Sequence, residues 1–162
     1  MQIITCSANF TRPNDTTAYA SGDLIADSTT AGSVTPMTFS VPYGQGLKVW
    51  RAGILKSGAT ATNASFRLHL YKDSPTVTNG DNGAWLSIVA GYQGFIDIVS
   101  SGQTFSDDNA GFGVYVNNSV FAPMLSLLDK DRKLYGLLEA RAAYTPAAQE
   151  VFTVTLIGEA YV

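Results

Sequence analysis

The octapeptide Ser65–Lys72 (SFRLHLYK) sets Phe66, Leu68 and Leu70 on one side of an extended chain and Arg67, His69 and Tyr71 on the other. It then stops at Asp73–Gly83 (DSPTVTNGDNG), where Pro75, Asn79-Gly80 and Asn82-Gly83 crowd into one connection. A period of two fits a strand with one face in the core. Pro, Asn-Gly and Asp are the residues that turns demand. This pairing of a short alternating run with a turn cluster recurs along the chain, and it restricts the fold to short strands.

Val34–Val41 (VTPMTFSV) alternates in the same way, and Pro36, which cannot donate to a ladder, puts it at a sheet edge or a strand start. Leu47–Ser57 follows a Pro42–Gly46 turn and reads as one long bent strand with a bulge at Gly53. Ala84–Ala90 leads through Gly91 and Gly94 into a strand at Phe95–Ser100, and Ala110–Asn117 reads as another. Val120–Leu128, interrupted by Pro123, fits a strand or a short helical turn, and Leu134–Tyr144 (LYGLLEARAAY) fits a helix or a strand equally. Val151–Tyr161 is β-branched and aromatic and ends the series as a strand. Between Ala8 and Ser33 the chain is polar and small-residued, punctuated by Pro13, Gly22 and Gly32.

The sum is an all-β chain of about eight or nine strands at sandwich or barrel spacing, expected as a single domain over residues 1–162 with jelly-roll-like order. An immunoglobulin-like sandwich would need fewer strands, and its Cys, Trp, Cys core is impossible with one cysteine. At 162 residues the chain can bury a core without disulfide or metal staples. Cys6 stands alone, which excludes an intrachain disulfide and a cysteine metal cluster and fits a cytoplasmic origin. Charged residues make up 14%, against about 25% in ordinary soluble proteins, so uncharged polar groups carry much of the solubility. A net charge of −3 with ten scattered Lys and Arg argues against direct nucleic-acid binding. The first ten residues lack the basic and apolar regions of a signal peptide, and no run is long enough to span a bilayer, so no membrane association is expected.

Nothing in the sequence assembles into a catalytic set. A Ser/His/Asp relay would have to use His69, the one histidine, and its place in a regular strand reads as a sheet-face residue. Asp107-Asp108, Asp129, Asp131, Glu139 and Glu150 show no pairing of the kind glycosidases use and read as solvated loop acids. Asp73, Asn79 and Asp81 could offer oxygens to calcium, but their spacing is not that of an EF-hand and turn geometry explains them, so no metal or cofactor is expected. Gly44-Gln45-Gly46 is a turn, not a nucleotide loop. Trp50, Trp85, Tyr92 and Tyr115 can stack on sugars or on a partner protein, or simply pack in the core.

ANFTRPNDTTAYASGDLIADSTTAGS, followed by GLKVWRAGILKSGATATNASFRLHLYKDSPTVTNGDNGAW, resembles small virion proteins of tailed bacteriophages encoded near the major capsid protein. Thr11–Ser28 and Arg67–Trp85 carry the similarity most clearly, and it runs over most of the chain. The resemblance implies a non-enzymatic capsid decoration (cement) protein with a jelly-roll-like sandwich. Such a protein sits on the head exterior, binds the major capsid protein and often associates as a trimer. The expected location is the virion, after synthesis in the host cytoplasm. A receptor- or carbohydrate-binding module of a fibre or tail is the alternative. Residues 1–12 are expected to form an N-terminal arm or an edge strand, in which Ile3, Ile4 and Phe10 are apolar enough to anchor. With Arg12 they are the expected contacts to the capsid or a neighbouring subunit.

Overall fold

Short runs of β-branched and aromatic residues between turns produce eleven strands in the computed structural model, which describes residues 2–58, 64–86, 89–98, 104–107, 111–117 and 124–161. In chain order they are β1 (Ile3–Thr11), β2 (Leu24–Ile25), β3 (Met37–Ser40), β4 (Gly46–Lys56), β5 (Phe66–Tyr71), β6 (Tyr92–Ile98), β7 (Thr104–Asp107), β8 (Gly111–Asn117), β9 (Met124–Leu127), β10 (Lys133–Ala140) and β11 (Val151–Tyr161). No helix occurs among the described residues.

Two antiparallel sheets result. One runs β1-β11-β4-β8-β7, with β9 extending the β8 position along β4; the other runs β2-β10-β5-β6, with β3 extending the β2 position along β10. Counting β8 with β9 and β2 with β3 as shared positions leaves nine, in agreement with the eight or nine expected. With β7 set aside as an added edge, the first, eighth, third and sixth positions form one sheet and the second, seventh, fourth and fifth the other. That is the order of a jelly roll.

The alternating positions read from sequence supply the core. Phe66, Leu68 and Leu70 of β5 meet Phe152, Val154 and Leu156 of β11, with Leu47, Val49 and Ile54 of β4 and Leu134 and Leu138 of β10, all buried. Phe66 sits edge-on to both Tyr144 and Phe152, at 5.5 and 5.6 Å between ring centres. Those geometries suit the aromatic quadrupole.

Leu134–Tyr144, open between helix and strand, is strand from Leu134 to Ala140, within β10, and the reason for the ambiguity is visible. Both faces of β10 are covered: Leu134 and Leu138 enter the sandwich core, while Leu137 packs outside it with Leu24, Ala26, Tyr71 and Val77. A strand buried on both sides loses the period of two that would identify it. The outer layer is built by the polar segment of residues 12–34 and the turn-rich segment 73–86, which bond to each other through Asp81 N to Ser28 O (2.6 Å), Leu24 N to Gly83 O (2.8 Å) and Trp85 N to Gly22 O (2.7 Å).

Pro36 immediately precedes β3, which among the described strands pairs only with β10, so the strand start and the sheet edge are both realised. The bulge expected at Gly53 lies elsewhere. Gly53 pairs regularly with Thr155, and the register between β4 and β11 shifts where Arg51 faces Ile157 and Val49 faces Gly158, leaving Trp50 as the extra residue. The shift brings Gly158 against the β4 backbone, where a Cβ would land on the Lys48 carbonyl and 3.1 Å from the Val49 Cα. Of the sequence-read runs, Ser87, Ile88, Val99, Ser100, Ala110 and residues 120–123 lie outside the described residues.

Backbone crowding of this kind has no flexible side chain to yield. Gly158→Ala is therefore expected to lower stability by about 1–3 kcal/mol, read as a drop in the urea midpoint with an unchanged β-type circular dichroism spectrum.

Candidate interaction surfaces

Of the four residues expected to make contacts, three (Ile4, Phe10 and Arg12) face inward and only Ile3 faces out. β1 pairs with β11 in unbroken register from Ile3 opposite Glu159 to Thr11 opposite Val151, forming one edge of the six-stranded sheet. Alternation along it buries Ile4 and Cys6 in the core and leaves Ile3 64% exposed. Phe10 is half-buried and stacks on Phe152 at 5.5 Å. Cys6 is a buried free thiol whose pKa desolvation pushes up to about 11, so it has little nucleophilic character.

Arg12 is buried and belongs to the interior. Its guanidinium donates to the Asp81 carboxylate (2.9 Å), the Tyr19 hydroxyl (2.7 Å), the Asp15 carbonyl (2.6 Å) and carboxylate (3.1 Å), and the Ala147 carbonyl (3.3 Å). The other Asp81 oxygen accepts from Tyr19 Oη (2.6 Å) and the Ala26 amide (2.8 Å). Asp81, considered above as a calcium ligand, is thus committed to a cation of the chain itself. Asn79 donates to the Ala84 carbonyl at 2.6 Å, which is turn chemistry.

Tyr19 stacks in parallel on Tyr144, which belongs to a second buried ionic group. The Tyr144 hydroxyl lies 2.6 and 2.8 Å from the two Glu150 oxygens, and Lys56 Nζ donates to Glu150 Oε1 (3.2 Å) and the Gly58 carbonyl (2.6 Å). Glu150 is therefore no solvated loop acid. Desolvation, helped by the neighbouring carboxylates, drives the pKa values of Tyr19 and Tyr144 far above normal.

On the outer face of β5, His69 is 2% exposed and stacked on Trp85 with ring centres 3.8 Å apart. Nε2 lies 2.8 Å from Glu139 Oε2 and Nδ1 lies 3.2 Å from Tyr92 Oη, while Arg141 holds the second Glu139 oxygen at 2.8 Å. Burial lowers the His69 pKa even though Glu139 pulls the other way. A neutral ring beside an acceptor-only carboxylate carries its proton on Nε2, and Tyr92 then donates to Nδ1. Each ring nitrogen is thereby bonded within the fold, and Trp85 covers the face. The histidine is packed into the sheet face, with both nitrogens committed to partners of the fold.

Beside this cluster, Arg67 makes a two-pronged ion pair with Asp97 (2.6 and 2.8 Å) and lies 3.8 Å over the ring of Phe95, itself 48% exposed. Asp129 accepts from the Asp131 and Lys133 amides and from Tyr135 Oη, which closes a turn. Asp108, with the side chains of Asp107 and Tyr115, lies outside the described residues.

A surface that sequence reading did not single out is the outer face of the six-stranded sheet. Thr5, Ser7, Asn9 and Thr11 of β1 lie beside Val151, Thr153, Thr155 and Ile157 of β11, and Ser7 Oγ meets Thr155 Oγ1 at 2.8 Å. On the far side, Leu125 and Leu127 of β9 are 57% and 47% exposed, next to Lys48 and Gly46 of β4. The alternation of β1 and β11 could have revealed the hydroxyl rows, whereas their adjacency depends on pairing between the two ends of the chain. Comparisons with models of protein families, with curated proteins and with solved structures find no significant match.

Three predictions come from the buried groups. Arg12→Ala, which strands Asp81, should cost about 3–5 kcal/mol in chemical denaturation. Folded Tyr19, Tyr71 and Tyr144 have raised pKa values, so stability is intact below about pH 10 and falls above it as the unfolded chain ionises first. Tyrosinate absorbance should show these three of the eight tyrosines titrating only with unfolding. His69 has a lowered folded pKa, so stability should decline as pH drops below about 6.5, by about 1 kcal/mol per unit. His69→Ala should flatten that slope in urea melts at stepped pH.

Proposed function

We propose that the chain is a non-enzymatic structural protein of a tailed-phage virion that binds the major capsid protein on the outside of the head and stabilises the assembled shell. The observation that carries this reading is the outer face of the six-stranded sheet: uncharged hydroxyl-bearing rows on β1 and β11, then β4 with exposed Lys48 and Arg51, and beyond it exposed Leu125 and Leu127 of β9. Neutral hydroxyls can hydrogen-bond a partner surface without the desolvation cost of charge, and the leucines supply apolar area to cover. Many copies on one lattice multiply a modest single contact. A protein that binds the assembled lattice but not free subunits shifts the equilibrium toward assembly. The sealed environment of His69 agrees with a role that involves no turnover.

A second reading, a receptor- or carbohydrate-binding module of a fibre or tail, draws on Phe95, whose half-exposed ring lies 3.8 Å from the Arg67 guanidinium that Asp97 holds. An aromatic ring so placed can serve as a sugar platform.

Adding purified chain to undecorated heads and imaging them by electron cryomicroscopy tests the proposal. Ordered density on the shell is expected, and Leu125→Glu with Leu127→Glu should raise the concentration needed for half-occupancy about tenfold or more while the circular dichroism spectrum stays the same. His69→Ala should leave occupancy unchanged. Empty heads, together with oligosaccharide binding that Phe95→Ala abolishes, would replace the first reading by the second.

A further inference from the structure

We propose that β1 is a self-association edge, along which two copies of this chain pair antiparallel about a two-fold axis at Ser7 and join their six-stranded sheets into one. The proposal goes beyond the capsid reading, and its two-fold contact differs from the three-fold association that the resemblance implies.

Backbone geometry supplies the first argument. The Arg12 amide donates to the Glu150 carbonyl at 3.0 Å, which fixes the phase of the ladder between β1 and β11. Antiparallel pairs alternate between bonded and non-bonded, so Ile4, Cys6, Ala8 and Phe10 turn their amides and carbonyls toward β11. Those of Ile3, Thr5, Ser7, Asn9 and Thr11 turn toward the open edge, which no described strand occupies. This is a row of donors and acceptors about 30 Å long at roughly 3.4 Å per residue.

The second argument is the lack of protection. Exposed edges are ordinarily blunted by charge, proline or a bulge. From Gln2 to Thr11 the chain carries no charged residue and no proline, and the register with β11 is unbroken.

The third is self-complementarity. Pairing about Ser7 brings Thr5 opposite Asn9 of the second copy and Ile3 opposite Thr11, all through outward-pointing backbone groups. On the core side the same register sets Ile4 opposite Phe10 and Cys6 opposite Ala8, large beside large and small beside small. A groove of about 390 Å³, lined by Ala8, Phe10 and Thr11 on one side and by Pro36 and Met37 on the other, gives the incoming strand room beside the half-buried Phe10.

Sedimentation velocity of the full chain over micromolar to millimolar concentrations tests the pairing, with circular dichroism as the control for folding. Wild type should form dimers. T5K/N9K places like charges opposite each other twice across the axis, on side chains already exposed, and should weaken the dimer about tenfold or more. T5E/N9E should do the same, and an equimolar mixture of the two variants should restore a heterodimer. Ser7→Cys should cross-link copies through residue 7 on oxidation, with the buried Cys6 remaining reduced. A wild type that stays monomeric, an oligomer indifferent to T5K/N9K, or a mixture that fails to pair overturns the proposal. A monomer that nevertheless fills undecorated heads rejects this pairing and spares the capsid reading, and a dimer that leaves heads bare does the reverse.

Discussion

The ion pair between Arg12 and Asp81 is the contact on which much of the remaining structure leans. Arg12 closes the first strand, and Asp81 lies in the turn-rich connection after β5; between them they fix Tyr19 and the Ala26 amide. Two long, polar, turn-rich segments are thereby locked against the sandwich by one guanidinium. A charge pair so deeply buried gains little over apolar packing of equal volume, but removing either half leaves a charge with no water around it. Its contribution is therefore better described as specifying one arrangement of loops than as adding net stability.

The arrangement it specifies gives the four-stranded sheet a cover on its outer face. That cover turns a potentially solvated histidine into a packed one: His69 has Trp85 on its ring and a partner at each nitrogen. Among the described residues the six-stranded sheet has no such layer over β1 and β11. Its outward residues remain exposed or half-exposed: hydroxyls on β1 and β11, Lys48 and Arg51 on β4, and the large apolar groups Ile3, Leu125 and Leu127. The two faces of the sandwich are thus unequal, one covered by the chain itself and one without a cover among the described residues.

Legibility in the sequence followed the exposure of each strand. β11 and the core side of β5 were clear because their alternation is clean, and the turn cluster of residues 73–83 was clear because Pro and Asn-Gly have few other uses. β10 was not clear, because a strand covered on both sides shows no alternation. The bulge was sought at a glycine and lies at Trp50, since a bulge is set by the mismatch between two strands distant in sequence. Arg12 and Glu150 looked like surface groups, because charge alone predicts exposure and their partners lie 69 and 94 residues away. Ile4 followed Ile3 in an apolar stretch, and only the strand phase separates the exposed side chain from the buried one.

The pairing of β1 with β11 also dictates when the molecule can be completed. The hydroxyl contact from Ser7 to Thr155 closes a loop of 148 residues, and β11 is also the strand that joins β1 to β4. During synthesis β1 therefore emerges long before β11, the one described strand that bonds to it, as an uncharged, β-prone segment without a mate. Topologies dominated by such distant pairings fold slowly and expose unpaired strands while they wait. In a cell producing many copies at once, the interval between the first strand and the last becomes the period in which chains can join wrongly.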